Sequence, residues 1–171
     1  PENPEASIIY TADGKVMGKF FDENRQSVVY DSINNNFFQA LVSTEDERFF
    51  SHNGIDFKGL VAAAKDATQG HARGASTITQ QLVKNMFRIR SNSQYGTGLV
   101  GKIPGVGIVI MKTKEMAIAV QLEMLNEKDS ILMMYANTVD FGSNAFGIKT
   151  AAKTYFNKAP SELKIEESAV L

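Results

Sequence analysis

The stretch Gly74-Ala75-Ser76-Thr77-Ile78-Thr79-Gln80-Gln81-Leu82-Val83-Lys84-Asn85 decides how the rest of the chain is read. At 3.6 residues per turn, Ser76, Gln80 and Lys84 share one i, i+4 stripe of a helix. Ile78, Leu82 and Met86 share another, roughly 200° away. One face is therefore core and the other is polar with a single cation. A solvated amphipathic helix satisfies this pattern without any function. The composition of the polar face argues for more. Ser and Thr are mediocre helix formers, and solvated faces are usually filled by Lys or Glu.

Upstream lies Thr44-Glu45-Asp46-Glu47-Arg48-Phe49-Phe50-Ser51-His52-Asn53-Gly54-Ile55-Asp56, where acids, an arginine and a histidine alternate with apolar residues. An acid beside a dense field of donors suits a site that moves a proton and holds an anion. Asn34 or Asn35 can cap a helix that carries Phe37, Phe38 and Leu41 and ends near Ser43. Glu45 then sits at or just past a helix end, on irregular backbone where catalytic groups are often placed. Asn53-Gly54 marks a turn, Asp56 can cap a helix over 57–68, and Gly70 stops it. The donor-rich helix is expected from 76 to about 88.

Further out, residues 1–31 read as β. Segments 7–10 and 15–21 flank the turn signal Ala12-Asp13-Gly14, and 27–30 offers a third short strand. Residues 91–111 are turn-like and then apolar, interrupted by Gly101, Pro104, Gly105 and Gly107, which argues against one regular helix. They read either as a surface loop or as a lid or membrane-dipping segment. A strongly apolar helix over 112–126 puts Met111, Glu115, Ile118, Leu122 and Leu125 on one stripe. A carboxylate there is costly unless paired. Glu115 is either a partner of Lys112 or Lys114, or a second active-site carboxylate. Helices over 128–137, 145–156 and from 161 onward complete the chain.

The whole chain bounds these readings. Its 171 residues suffice for one domain with a real core, and a net charge of −1 gives no nucleic-acid footprint. The absence of cysteine removes disulfides, thiol nucleophiles and Cys-based zinc sites. With two histidines, His52 and His71, a His-rich metal site is not expected. No signal peptide and no membrane-length apolar run is visible in the sequence. The chain starts at Pro1 without a Met, as a piece of a longer protein would.

The spacing Glu45-Asp46-x-x-Phe49-x-x-His52-x-Gly54-x-Asp56, followed by Gly74-x-Ser76-Thr77-Ile78-Thr79-Gln80-Gln81-Leu82-Val83-Lys84-Asn85, closely resembles the first two motifs of the peptidoglycan glycosyltransferases, family 51. That family is found in class A penicillin-binding proteins and monofunctional transglycosylases. Many fixed positions over about 40 residues make such a match specific. Lys112-Thr113-Lys114-Glu115 resembles the third motif, with Met111 where the family has Arg. Either Arg88 or Arg90 replaces that arginine, or its contact is missing. The run 131–137 with Gly142, Gly147-Ile148, Ala151-Ala152 and Tyr155-Phe156 resembles the fourth, with Met133 and Ala136 where many members have Glu and Leu. Glu166-Glu167-Ser168-Ala169-Val170-Leu171 resembles the start of the fifth.

The resemblance implies a mainly α, lysozyme-like helical domain with a small N-terminal β-hairpin. Residues 1–31 are the β segment and 32–171 a C-terminally incomplete catalytic domain. It implies polymerisation of lipid II onto a lipid-linked nascent glycan, with inversion and release of undecaprenyl diphosphate. The site lies at the extracytoplasmic face of the bacterial cytoplasmic membrane, held by an anchor outside this chain and near other cell-wall synthesis proteins. Glu45 is the expected base and Glu115 a second catalytic carboxylate. Ser76, Thr77, Gln80, Gln81, Lys84, Lys112 and Asn137 are the expected substrate and diphosphate contacts. Asp46 is a candidate ligand for a divalent cation, Mg or Mn, or else a cap or a partner of Arg48. His52 is expected to be structural, and no organic cofactor is expected. A lysozyme-like glycan-cleaving enzyme and a non-catalytic binding module for lipid II or glycan are the alternatives.

Overall fold

The computed structural model describes residues 4–21, 23–71, 74–87 and 106–171. They are mainly helical, with a two-stranded antiparallel hairpin near the N-terminus. Two compact units arise: residues up to Leu41 together with Leu132–Leu171, and residues 42–131. Residues 4–31 belong to the first of these units.

In the first unit, β1 (Ser7–Tyr10) pairs with β2 (Val16–Phe20), with Ser7 opposite Phe20 and Tyr10 opposite Val16. Gly14, at φ 80°, supplies the left-handed residue of the turn. The expected third strand over 27–30 does not form. The Asn137 side chain takes its ladder bonds instead, accepting from Val28 N at 3.0 Å and donating to Val28 O at 2.9 Å. Tyr30–Ser32 then turns into a short 3-10 segment. α1 (Asn35–Glu45) follows, with Asn34 Oδ1 accepting from Asn36 N. Its buried Phe37 and Phe38 are among the buried residues of this unit, with Leu132, Tyr135 and Ala136 of α5 (Lys128–Thr138) and Ile148, Ala151 and Ala152 of α6 (Ile148–Phe156). α6 starts three residues later than expected, because Gly147 at φ 79° stands as its N-cap. α7 (Ile165–Val170) closes the chain.

In the second unit, α1 ends at Glu45 and a 3-10 turn covers Phe49–Ser51. α2 (Phe57–Thr68) has the expected bounds and its Asp56 cap. α3 (Ile78–Met86) is shorter than expected, because Thr77 Oγ1 accepts from Gln80 N and fixes the start there. α4 (Val106–Leu125) begins earlier than expected, so 106–111 are helical despite Gly107. The rest of the 91–111 stretch, and Arg88 and Arg90, lie outside the described residues. No described helix is long and apolar enough to cross a membrane.

α3 packs on α4 through Val83 and Ala119, with Phe87, Met111, Ile118 and Leu122 around them. Met111 is thus part of an apolar seam. The turn at Gly54 closes against the same helix. Gly54 sits at φ +84°, and a Cβ there would lie 2.8 Å from the Ala119 carbonyl carbon. Left-handed strain and overpacking together predict that Gly54→Ala costs roughly 2–5 kcal/mol. A shift of the urea midpoint measures it; an unchanged midpoint would contradict the packing described.

Candidate active site

The site is built from the end of α1, the turn after it and the start of α3, all within the second unit. They enclose a cleft of about 650 Å³, whose walls include Glu45, Asp46, Arg48, Ser76, Gln81 and Lys84.

Asp46 follows the last residue of α1 and is buried. Its Oδ2 accepts from Ile78 N at 3.0 Å, and the His52 ring Nε2 donates to the carboxylate at 3.0–3.1 Å. An anion at the first N–H of α3 also meets the positive end of the helix. Asp46 therefore ties the first motif to the second. Its oxygens face inward to those donors, and among the described residues no group of three or more His, Asp or Glu side chains is arranged to hold a metal ion. No catalytic step here runs through a divalent cation. His52, with 8% of its side chain exposed, is a structural partner of Asp46.

Glu45 differs from its neighbour in being exposed. Its Oε2 accepts from Gln81 Nε2 at 2.7 Å. The polar face of α3 is not solvated as a whole. Gln80 is 0% exposed and donates from Nε2 to the Gly54 carbonyl at 3.0 Å, where Thr77 Oγ1 also donates at 2.8 Å. The Thr77 side chain and Gln80 thus hold the Gly54 turn, while Gln81 and Lys84 line the cleft. Lys112 Nζ donates to Ser76 Oγ at 2.8 Å and to Glu115 Oε2 at 3.2 Å. Glu115 is 1% exposed and paired with Lys112, so it reaches the cleft wall through Lys112 and Ser76. Asn137 belongs to the first unit, on α5, where its amide holds Val28.

A family model described as transglycosylase matches residues 13–171. The chain belongs to the transglycosylase family. It is 36% identical to penicillin-binding protein 1A of Escherichia coli K12 over 95% of its own length and 18% of the relative's. It is 36% identical to penicillin-binding protein 1F of Bacillus subtilis 168, over 97% of this chain and 21% of that one. To penicillin-binding protein 1A of Rickettsia conorii it is 35% identical, over 98% and 20%. The chain thus spans about a fifth of the length of these relatives.

Within this transglycosylase domain, two pairings escaped the sequence reading. Arg48 pairs with Asp56 rather than Asp46: Nε and Nη2 both donate to Asp56 Oδ2, at 2.9 and 2.6 Å. Asp56 also caps α2 through Gly59 N. The Arg48 bond, helped by the Gly59 N–H and opposed by partial burial, holds the Asp56 carboxyl below its ordinary value. A carboxylate with a lowered folded-state pKa stabilises the fold above its unfolded value and loses that contribution as pH falls through the lowered one. Stability is therefore expected to decline below about pH 4, with a shallower decline in Asp56→Asn. Urea midpoints at pH 5 and pH 3 measure the difference; equal slopes in the two proteins would refute it.

The second missed pairing is Lys128 with Glu123. Five residues apart across a helix break, they match no i, i+4 signal. The sequence pattern places both simply within helices.

Proposed function

We propose that this domain extends glycan strands, transferring a lipid-linked glycan from its diphosphate to the 4-hydroxyl of lipid II. The observation that carries the reading is one cleft with an exposed carboxylate, Glu45, and a cation, Lys84, on its walls. A sugar hydroxyl is a poor nucleophile, so a base must take its proton as the new bond forms. Glu45 takes that proton, and the hydroxyl oxygen bonds to the anomeric carbon from the face opposite the leaving group. The carbon–oxygen bond to the diphosphate breaks and its electron pair departs on undecaprenyl diphosphate. The configuration inverts. Lys84 stabilises the charge that collects on the diphosphate, as a point charge suits phosphate.

Gln81 orients Glu45 from α3, and Ser76 with Lys112 offers further donors at the cleft wall. Glu115 holds the Lys112 ammonium in place. The lipid-linked substrates set the work at a membrane surface. The outer face of the cytoplasmic membrane, beside other cell-wall synthesis proteins, is the location that fits. A hydrolase has less use for a cation at a leaving diphosphate, and the transglycosylase match does not favour it.

The test is incubation of the full-length protein with labelled lipid II in detergent, with strands separated by length. A ladder of long polymers supports transfer. Soluble sugars released from purified cell wall, without a ladder, would replace transfer by hydrolysis. Binding of lipid II without turnover would replace it by a binding module.

A further inference from the structure

Behind the cleft wall lies a charged cluster that the reaction above does not use. Glu123, near the end of α4, has 3% of its side chain exposed. A buried carboxylate is costly unless paired and hydrogen-bonded. Its partners are the Lys128 ammonium and the hydroxyl of Thr79. Lys128, at the start of α5, has 22% of its side chain exposed and is unusually constrained for a lysine. Besides Glu123, its Nζ donates to the His52 carbonyl at 2.7 Å and lies 4.2 Å from the centre of the Phe49 ring. A carboxylate, a carbonyl and an aromatic face together fix one ammonium position.

The contacts made by this pair join two segments 30 residues apart: Phe49 and His52 of the first motif, and Thr79 of the second. Phe49 is fully buried and meets the His52 ring edge-on, with centroids 6.2 Å apart. The His52 ring holds Asp46, and Asp46 holds Ile78 N, one residue before Thr79. Glu45 adjoins Asp46 in the chain, and Gln81 on the same α3 reaches Glu45. The relay forms a closed circuit: Lys128, the His52 turn, Asp46, the start of α3, Thr79, Glu123 and back to Lys128.

We infer that Lys128 and Glu123 are positioning residues for the transfer at Glu45, setting where the base stands relative to α3. The inference rests on the function proposed above. Neither side chain borders the cleft, so their effect falls on the rate and not on substrate binding. Displacing a catalytic group by about 1 Å can lower a rate by about 100-fold.

The experiment is steady-state polymerisation of labelled lipid II by the full-length protein. Wild type, Glu45→Gln, Lys128→Met, Lys128→Arg and Glu123→Gln are compared at a temperature where circular dichroism shows each fully folded. Lys128→Met is expected to lower kcat by about 10–100-fold with KM within about twofold. Lys128→Arg keeps the charge and the aromatic contact, and is expected to recover most of the rate. Glu123→Gln keeps an acceptor for Thr79 but loses the ion pair, and is expected to fall between them. If Lys128→Met does not fold, Glu123→Gln with Lys128→Arg decides the matter by the same split. Wild-type kcat in folded Lys128→Met and Glu123→Gln, or a loss confined to KM, would overturn the positioning role while leaving the proposed function intact. An inactive wild type would overturn the function itself, and this inference with it.

Discussion

Glu45→Gln is expected to lower polymerisation of lipid II by about 10²–10⁴-fold while the unfolding midpoint stays close to wild type. Stability is spared for reasons visible at the site. Glu45 is exposed, and its contact with Gln81 joins two side chains at a cleft wall. Glutamine has nearly the same shape and can still accept from Gln81 Nε2 through its amide oxygen. What it cannot do is take a proton from an attacking hydroxyl. Asp46→Asn is the contrasting case, because Asp46 is buried and bonded to both His52 and Ile78 N. Removing that charge disturbs the fold as well as the activity, so only the Glu45 variant separates chemistry from folding. The readout is the rate of strand growth beside a urea melt. An active Glu45→Gln protein would end the role of base for this residue.

The contrast between Glu45 and Asp46 also marks how far the sequence could be read. Both acids stood out in the first motif, and a helix closing near them followed from the Asn34 cap and the apolar spacing, although α1 runs on through Glu45 rather than ending near Ser43. Their opposite environments did not follow. One faces the cleft and its neighbour turns inward to a backbone N–H 32 residues away, and no local periodicity records a bond of that span. The same limit applies on α3. The stripe of Ser76, Gln80 and Lys84 was legible as a polar face, yet Gln80 turned out fully buried on the Gly54 carbonyl. The odd composition of that face was the sound part of the reading, since its polar atoms are largely engaged inside the protein.

Elements were misjudged where a tertiary contact replaced a local one. The segment 27–30 has strand-like residues, but a single asparagine side chain satisfies Val28 in place of a neighbouring strand. The glycines around 107 argued against a helix, but α4 runs through Gly107, with Met111 joining the seam formed with α3. Glycine costs about 1 kcal/mol in a helix interior. Burial of several apolar side chains offsets that amount readily. This packing also gives the methionine at position 111 a physical role where the family places arginine.

Lys84→Met is expected to reduce kcat by about 10²–10³-fold, with Lys84→Arg retaining an intermediate rate. Lys84 lines the cleft, is half-buried, and makes no ion pair among the described residues. The other prominent cations of this unit are differently engaged: Arg48 with Asp56, Lys112 with Ser76 and Glu115, Lys128 with Glu123. Lys84 is thus the better placed to answer a charge that grows as the reaction proceeds. Interactions that strengthen in the transition state raise the rate, whereas those equal in the ground state alter only binding. The diphosphate carries negative charge before the bond breaks and gains more as it leaves, so both parameters should respond, with kcat falling further than KM rises. Methionine keeps most of the length and apolar stem of lysine, so the urea midpoint should stay near wild type. Arginine keeps the charge but spreads it over a planar fork, which suits a different approach to phosphate than a compact ammonium does. A Lys84→Met protein with wild-type kcat would place the stabilising cation elsewhere, with Lys112 the next to be replaced.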